Sequence, residues 1–349
     1  MDLPLTIILS SFLALILFRP VHAFYKRMHL VDTPDWRKVD FNAVPLGGGF
    51  LLMFGLSLAI LILSLNSNYQ ISIPMILLII ISILIFTLGT IDDSVKVGST
   101  IKLLVVAALS LLFISFTGFR ITTFHGLFGV YELDHLVSYG FSVMVLLVFV
   151  NMFNLIDGID GLASGIAVVT LVFLVATFQM VLLYEWALLG GSLIGVLLVL
   201  FVNNHKEYKM YLGDGGSLAL GFIMGAFVLY ILSESEPRFN RVDYMSYGPV
   251  FILTLFWYPL LDLLRVFVLR LLAGRSPFRA DRRHFHHLLV DRDMSHILAS
   301  TIIIGLTFAL VLLALFMARF IGVTELFFVM FALTSFIGLM VFVRPTKRD

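Results

Sequence analysis

The stretch Asn151-Met152-Phe153-Asn154-Leu155-Ile156-Asp157-Gly158-Ile159-Asp160-Gly161-Leu162-Ala163 lies between two long apolar runs and carries two amides and two carboxylates but no basic residue. Four polar side chains at the edge of an apolar segment, with no local counter-charge, require something positive from elsewhere. Asp157 and Asp160 are three apart, which on a helix puts both carboxylates on one face. The two Asp-Gly steps let the backbone turn closely around whatever the acids hold. A divalent cation, a nucleotide or both would satisfy them.

Working outward, the whole chain has the character of the flanks. Of its 349 residues, 60% are apolar and 13% charged, and the mean hydropathy is +1.05. These values exclude an ordinary soluble protein and predict an all-α, polytopic membrane bundle. The net charge of +1 gives no reason to expect a nucleic-acid partner, and the absence of cysteine excludes disulfides, thiolate metal sites and a cysteine nucleophile. Leu3 to Phe18 follows Asp2 rather than a basic segment and is read as a retained span.

Runs able to cross a hydrocarbon core of about 30 Å fall at 3–24, 46–65, 71–91, 101–118, 136–153, 164–182, 186–203, 217–233, 248–271, 297–319 and 323–343. That is about eleven transmembrane helices, with opposite sides for the two termini. The loops after the odd-numbered spans, with the C-terminus, hold seventeen Lys and Arg residues, against four on the other side. The positive-inside rule therefore puts the N-terminus outside and the C-terminus in the cytoplasm. Residues 117–135 are rich in Gly, aromatic and β-branched residues and are expected to form a small hairpin. No linker or repeat divides the chain, so residues 1–349 are expected to be one integral-membrane domain.

With this topology the polar clusters collect on the cytoplasmic face. They are Trp36-Arg37-Lys38 with Pro45-Leu46-Gly47-Gly48-Gly49, then Asp92-Asp93, then the central stretch. Asn203-Asn204 and Tyr211-Leu212-Gly213-Asp214-Gly215-Gly216-Ser217 follow, and then Arg279-Ala280-Asp281-Arg282-Arg283-His284-Phe285-His286-His287. Acids at a membrane boundary more often act than decorate; Asp92 and Asp93 can ligate Mg²⁺ or accept a proton. Asp214 opens a helix whose N-terminus favours an anion, although Gly-Asp-Gly is also ordinary turn chemistry. His-x-His-His could hold a transition metal, but Arg279, Arg282 and Arg283 beside it suit a phosphate or diphosphate better. In the ninth span, Asp262 and Arg265 read either as an i, i+3 ion pair or as support for the site. Oxygen and amide ligands beside Arg and His donors point to Mg²⁺ with a phosphorylated ligand.

In this order among eleven spans, the motifs at Pro45 to Gly49, Asp92-Asp93, Asn154 to Leu162, Gly213 to Ser217 and His284 to His287 resemble the polyprenyl-phosphate N-acetylhexosamine-1-phosphate transferases, most closely the WecA-type enzymes. The resemblance implies transfer of GlcNAc-1-phosphate from UDP-GlcNAc to undecaprenyl phosphate, with release of UMP. That is the lipid-linked first step of a cell-surface polysaccharide such as O-antigen, in the bacterial cytoplasmic (inner) membrane. It further implies Asp214 and Asn154 as Mg²⁺ ligands, with Mn²⁺ as a substitute, and Asp92 and Asp93 as essential acids near the metal. Asp157, Asp160 and Asn204 would line the nucleotide pocket, Tyr211 would stack on uracil, and Lys38 would face a phosphate. His284, as a catalytic group, and His286 and His287, with the three arginines, would hold the diphosphate and sugar. A homodimer is the assembly considered. Two positions depart from the pattern: Asp40 stands where a histidine is expected, and Gly215-Gly216 follows Asp214 in place of a small or hydroxylated residue. The rival within the class is a UDP-MurNAc-pentapeptide transferase, or one using another UDP-N-acetylhexosamine. The rival outside it is a proton-coupled secondary transporter.

Overall fold

The computed structural model describes residues 2–32, 43–66, 69–206, 208–233, 247–272, 274 and 284–342. Its helices are α1 (Leu3–Arg27), α2 (Gly48–Ser64), α3 (Ile73–Val95), α4 (Ser99–Thr117), α5 (His135–Ile156), α6 (Leu162–Met180), α7 (Tyr184–Asn203), α8 (Gly213–Leu232), α9 (Gly248–Leu255), α10 (Trp257–Leu272), α11 (Phe285–Val290), α12 (His296–Met317) and α13 (Val323–Phe342). The fold is all-α, as expected. Nine helices among the described residues are long and apolar enough to cross a membrane, and α9 with α10 makes a tenth if that pair is one span. The 17-residue α2 is apolar throughout and stands where the remaining span is expected.

Two expectations are corrected. The ninth span is not one rod: α9 and α10 meet at Phe256 with a bend of 76°. Residues 117–135 do not pair as strands; they form an irregular loop with a single 3-10 turn at Leu127–Gly129, closed by Gly126 N–H to Val130 O (3.1 Å) and Leu133 N–H to Thr122 O (2.8 Å). The strands present among the described residues are two-residue pieces, β1 (Val31–Asp32) and β2 (Val44–Pro45), paired antiparallel. They carry the chain from α1 into α2.

The bundle is built around α8. All of its apolar window is buried, whereas only 22% of that of α4 or of α13 is, so α8 is the axis and α4 and α13 face lipid. Lipid supplies no hydrophobic drive between helices, so close approach has to come from small residues. The α8 sequence Gly213-Asp214-Gly215-Gly216-Ser217 provides it. A Cβ on Gly215 would lie 2.9 Å from Phe86 O of α3, and the Cβ of a residue at Gly89 would lie 2.5 Å from Gly215 Cα. On α2, a Cβ at Gly49 would come within 2.6 Å of Gly216 Cα. Further along, Gly221 lies against the backbone of Phe149 and Val150 in α5.

These contacts explain the departure at Gly215-Gly216, because both glycines are places where two backbones touch. The turn before α2 is fastened to the same region by backbone bonds from Gly48 N–H to Tyr211 O (2.9 Å) and Tyr211 N–H to Pro45 O (2.9 Å). Substituting Gly216→Ala pushes a methyl group into Gly49 and should cost about 1–3 kcal/mol by overpacking. It is expected to lower the Tm of the detergent-purified protein, and an unchanged Tm would refute the contact.

Candidate active site

One end of the bundle gathers polar side chains from three helices. The last turn of α3 presents Asp92 and Asp93, the end of α5 presents Asn154, and the first turn of α8 presents Asp214. Adjacent on α3, the two aspartates do different things. Asp93 accepts from the backbone N–H groups of Asp214 (3.1 Å) and Gly215 (3.4 Å), so it caps α8 from another helix. Free N–H groups at a helix N-terminus attract a carboxylate. Asp92 points instead towards the Asp214 carboxylate, and the Lys102 ammonium of α4 lies between them, donating to Asp92 (2.6 Å) and Asp214 (3.0 Å). Asn154 Nδ2 donates to Asp214 Oδ1 (2.9 Å) and to Ser217 Oγ (3.0 Å), and the amide oxygen remains an acceptor. Oδ1 of Asp92 is buried and has no hydrogen-bond partner.

The central stretch turns between α5 and α6. Asp157 stands just beyond the end of α5, and burial, followed by the carboxylates of Asp214, Asp93, Asp32 and Asp160, pushes its carboxyl well above the ordinary range. Asp160 has the opposite environment. Burial alone would raise it, but the hydrogen bond with His296 (3.2 Å) and the Lys209 ammonium (3.2 Å) outweigh burial and hold it below the ordinary range. The Tyr211 hydroxyl also donates to Asp160 (3.1 Å). Two carboxylates three residues apart therefore differ in kind: one belongs to the acid cluster, and the other is neutralised by groups from the α7–α8 loop and the start of α12.

The histidine segment approaches from the far side. His284 and His286 are buried, and their rings stack at 5.8 Å; His287 lies beside His286, its ring centroid 4.4 Å away. A Cβ on Gly158 would come within 2.7 Å of His286 Nε2, so this ring closes directly on the central loop. Asn204 is buried and uses its carbonyl oxygen to accept from Met210 N–H (3.2 Å), bracing the loop before Tyr211. Lys38, Asp40, Arg279, Arg282 and Arg283 lie outside the described residues.

Three groups at the site were not singled out from sequence. Lys102 is an isolated cation in the first turns of an apolar helix, a signal of the same kind as the boundary acids. Lys209 and His296 had no such mark, since their importance comes only from reaching Asp160. Among the described residues no three His, Asp or Glu side chains gather closely enough to enclose an ion alone. Asp92 and Asp214 are a pair, and a hard ion such as Mg²⁺ is commonly held by one or two carboxylates with substrate phosphates and water. The partnerless Asp92 oxygen and the all-oxygen donor set fit such an ion.

Residues 75–232 match the model of glycosyl transferase family 4. The matched stretch runs from α3 to the end of α8 and takes in Asp92, Asp93, Asn154, Asp157, Asp160 and Asp214, while α9 to α13 lie beyond it. Over 297 residues the chain is 28% identical to the undecaprenyl-phosphate alpha-N-acetylglucosaminyl 1-phosphate transferase of Escherichia coli (strain K12), covering 80% of this chain and 76% of that protein. Proteins of the same name from Yersinia pestis (28% over 271 residues; 76% and 70% covered) and Salmonella typhi (27% over 304 residues; 81% and 76% covered) are similarly related. With these relatives and its apolar helices, the protein is a multi-pass protein of the bacterial cytoplasmic (inner) membrane.

The Asp160 environment has a pH consequence with a definite sign. A carboxyl whose folded pKa is depressed contributes stability that is present above its unfolded value, about 3.9, and is lost as pH falls through the folded value. The Tm difference between the native protein and Asp160→Asn should be full above about pH 5 and shrink below about pH 4. A difference constant with pH would show that the Lys209 and His296 contacts are not electrostatic.

Proposed function

We propose that this protein transfers GlcNAc-1-phosphate from UDP-GlcNAc to undecaprenyl phosphate, releasing UMP. The observation that carries the reading is the meeting of Asp92, Asp93 and Asn154, from α3 and α5, at Asp214 of α8, with the Lys102 ammonium between Asp92 and Asp214, at one end of an apolar bundle. A soluble phosphorylated donor and a lipid-anchored acceptor can meet only at such a boundary. The bias of Lys and Arg towards the loops at this end supports a cytoplasmic placement, where nucleotide sugars are made. The relatives' names support the sugar and the lipid.

In this reading Asp214 and Asp92, with the Asn154 amide oxygen, would hold Mg²⁺, with Mn²⁺ as a substitute. The ion would supply charge neutralisation of the diphosphate and of the departing UMP. The chain's own groups do the rest. Asp93 holds the first turn of α8 in place, so that Asp214 faces the cluster. Lys102 adds a positive charge where an anionic acceptor must approach an anionic donor, which lowers their mutual repulsion. An oxygen of the lipid phosphate attacks the β-phosphorus, the bond from that phosphorus to the bridging oxygen breaks, and the electron pair leaves with UMP. A monoanionic lipid phosphate would give its proton to a carboxylate of the cluster. Direct displacement is favoured over an aspartyl phosphate because a phosphate dianion is already a competent nucleophile.

The test uses purified protein, Mg²⁺, undecaprenyl phosphate and radiolabelled UDP-GlcNAc, UDP-GalNAc and UDP-MurNAc-pentapeptide, scoring label that partitions into butanol. UDP-GlcNAc should be the preferred donor, and preference for the pentapeptide donor would move the protein to the rival class. Asp214→Asn should remove turnover while the protein still purifies at native yield. Lys102→Met should lower kcat/KM by at least about tenfold, the loss of one charge contact of roughly 1.4 kcal/mol. Near-native turnover in both variants would defeat the assignment.

A further inference from the structure

The bent pair α9 and α10 carries an arrangement that the acid cluster does not explain. Trp257 Nε1 donates to Thr307 Oγ1 (3.0 Å), which pins the start of α10 to α12. The 76° bend then aims the first turns of α10 at the histidine segment. The Tyr258 hydroxyl meets His286 Nδ1 at 2.9 Å. One turn later comes Asp262, only 3% exposed. Its Oδ1 accepts from the backbone N–H of Phe285 (2.8 Å) and its Oδ2 meets His284 Nδ1 at 3.0 Å. Arg265 stands 4.0 Å from Oδ1, so the i, i+3 neighbour is the more distant partner. On the opposite side the His286 ring lies against Gly158, between Asp157 and Asp160. The two stacked imidazoles are thus clamped between α10 and the central loop.

An ionised carboxylate can only accept, so its bond with His284 puts a proton on Nδ1 and leaves Nε2 as the atom whose protonation can change. The same carboxylate anchors the backbone at Phe285, so ring plane and tautomer are set together. We propose that Asp262 is a positioning residue of the transfer reaction, holding His284 in the Nδ1–H form with Nε2 presented to the phosphates of the nucleotide sugar. This rests on the transferase reading for its substrate, but the tautomer itself does not.

The substitution that isolates the effect is Asp262→Asn. Its amide oxygen still accepts from Phe285 N–H, while its NH₂ offers a proton to Nδ1 and drives the imidazole proton to Nε2. D262N should lower kcat on the order of ten- to a hundredfold with KM and Tm close to native, Asp262→Glu should recover part of that loss, and D262N should have no further effect in a His284→Ala background. Multiplying losses in the double variant, or a fall in Tm that accounts for the lost activity, would overturn the proposal. A second measurement does not use turnover: in ¹⁵N-histidine-labelled protein, an Nδ1-protonated imidazole signal should vanish in H284A and convert to the Nε2-protonated form in D262N. An unchanged D262N spectrum would overturn the proposal even in an active enzyme. The converted spectrum in a protein that turns over no UDP-sugar would leave the tautomer standing and sink the transferase reading instead.

Discussion

Asp93 caps a helix to which it does not belong, and the geometry of the site follows from that bond. The first N–H groups of α8 have no partner within their own helix. The carboxylate from the end of α3 satisfies two of them. That bond is short enough to form only because α3 and α8 touch through glycines, Gly89 against Gly215. Helix packing and acid placement are therefore one constraint: a side chain at either glycine separates the backbones and moves Asp214 away from Asp92.

Bringing carboxylates together in this way costs electrostatic energy, and the chain manages it unevenly. Lys102 bridges Asp92 and Asp214, while Lys209, Tyr211 and His296 surround Asp160. Asp157, between these groups, is left among other acids. A cluster held partly short of positive charge is the arrangement from which the proposed cation site is argued. The neutralised Asp160 is better suited to holding the central loop against the α7–α8 loop and α12.

The C-terminal helices serve the same end from the other side. The bend at Phe256 would be a defect in a simple span, since it interrupts the helix inside an apolar run. Here it turns Tyr258 and Asp262 inward, where they hold His286 and His284. His286, fully buried, supports the central loop at Gly158 rather than lying open to a ligand. Within the motif His284-Phe285-His286-His287, His284 is held by Asp262 and His286 by Tyr258.

Much was legible in the sequence because it depends on local composition. Apolar runs long enough for a membrane must become helices, since unpaired backbone is not tolerated in lipid, and the observed ends mostly lie within a few residues of the expected ones. Aspartate, asparagine and histidine at run boundaries marked groups that the structure gathers at one end of the bundle. Partnerships across helices were not legible. Adjacent residues on a helix point about 100° apart, so Asp92 and Asp93 look alike in sequence, and only the seating of α3 on α8 makes one a bridge to Lys102 and the other a cap. Asp262 likewise gave two equal readings until the bend chose His284 over Arg265. The chain's own order determined which groups would stand at the membrane edge, whereas the packing of glycine on glycine and the break at Phe256 decided which of them meet, because hydrogen bonds act over about 3 Å and only tertiary contact sets distance on that scale.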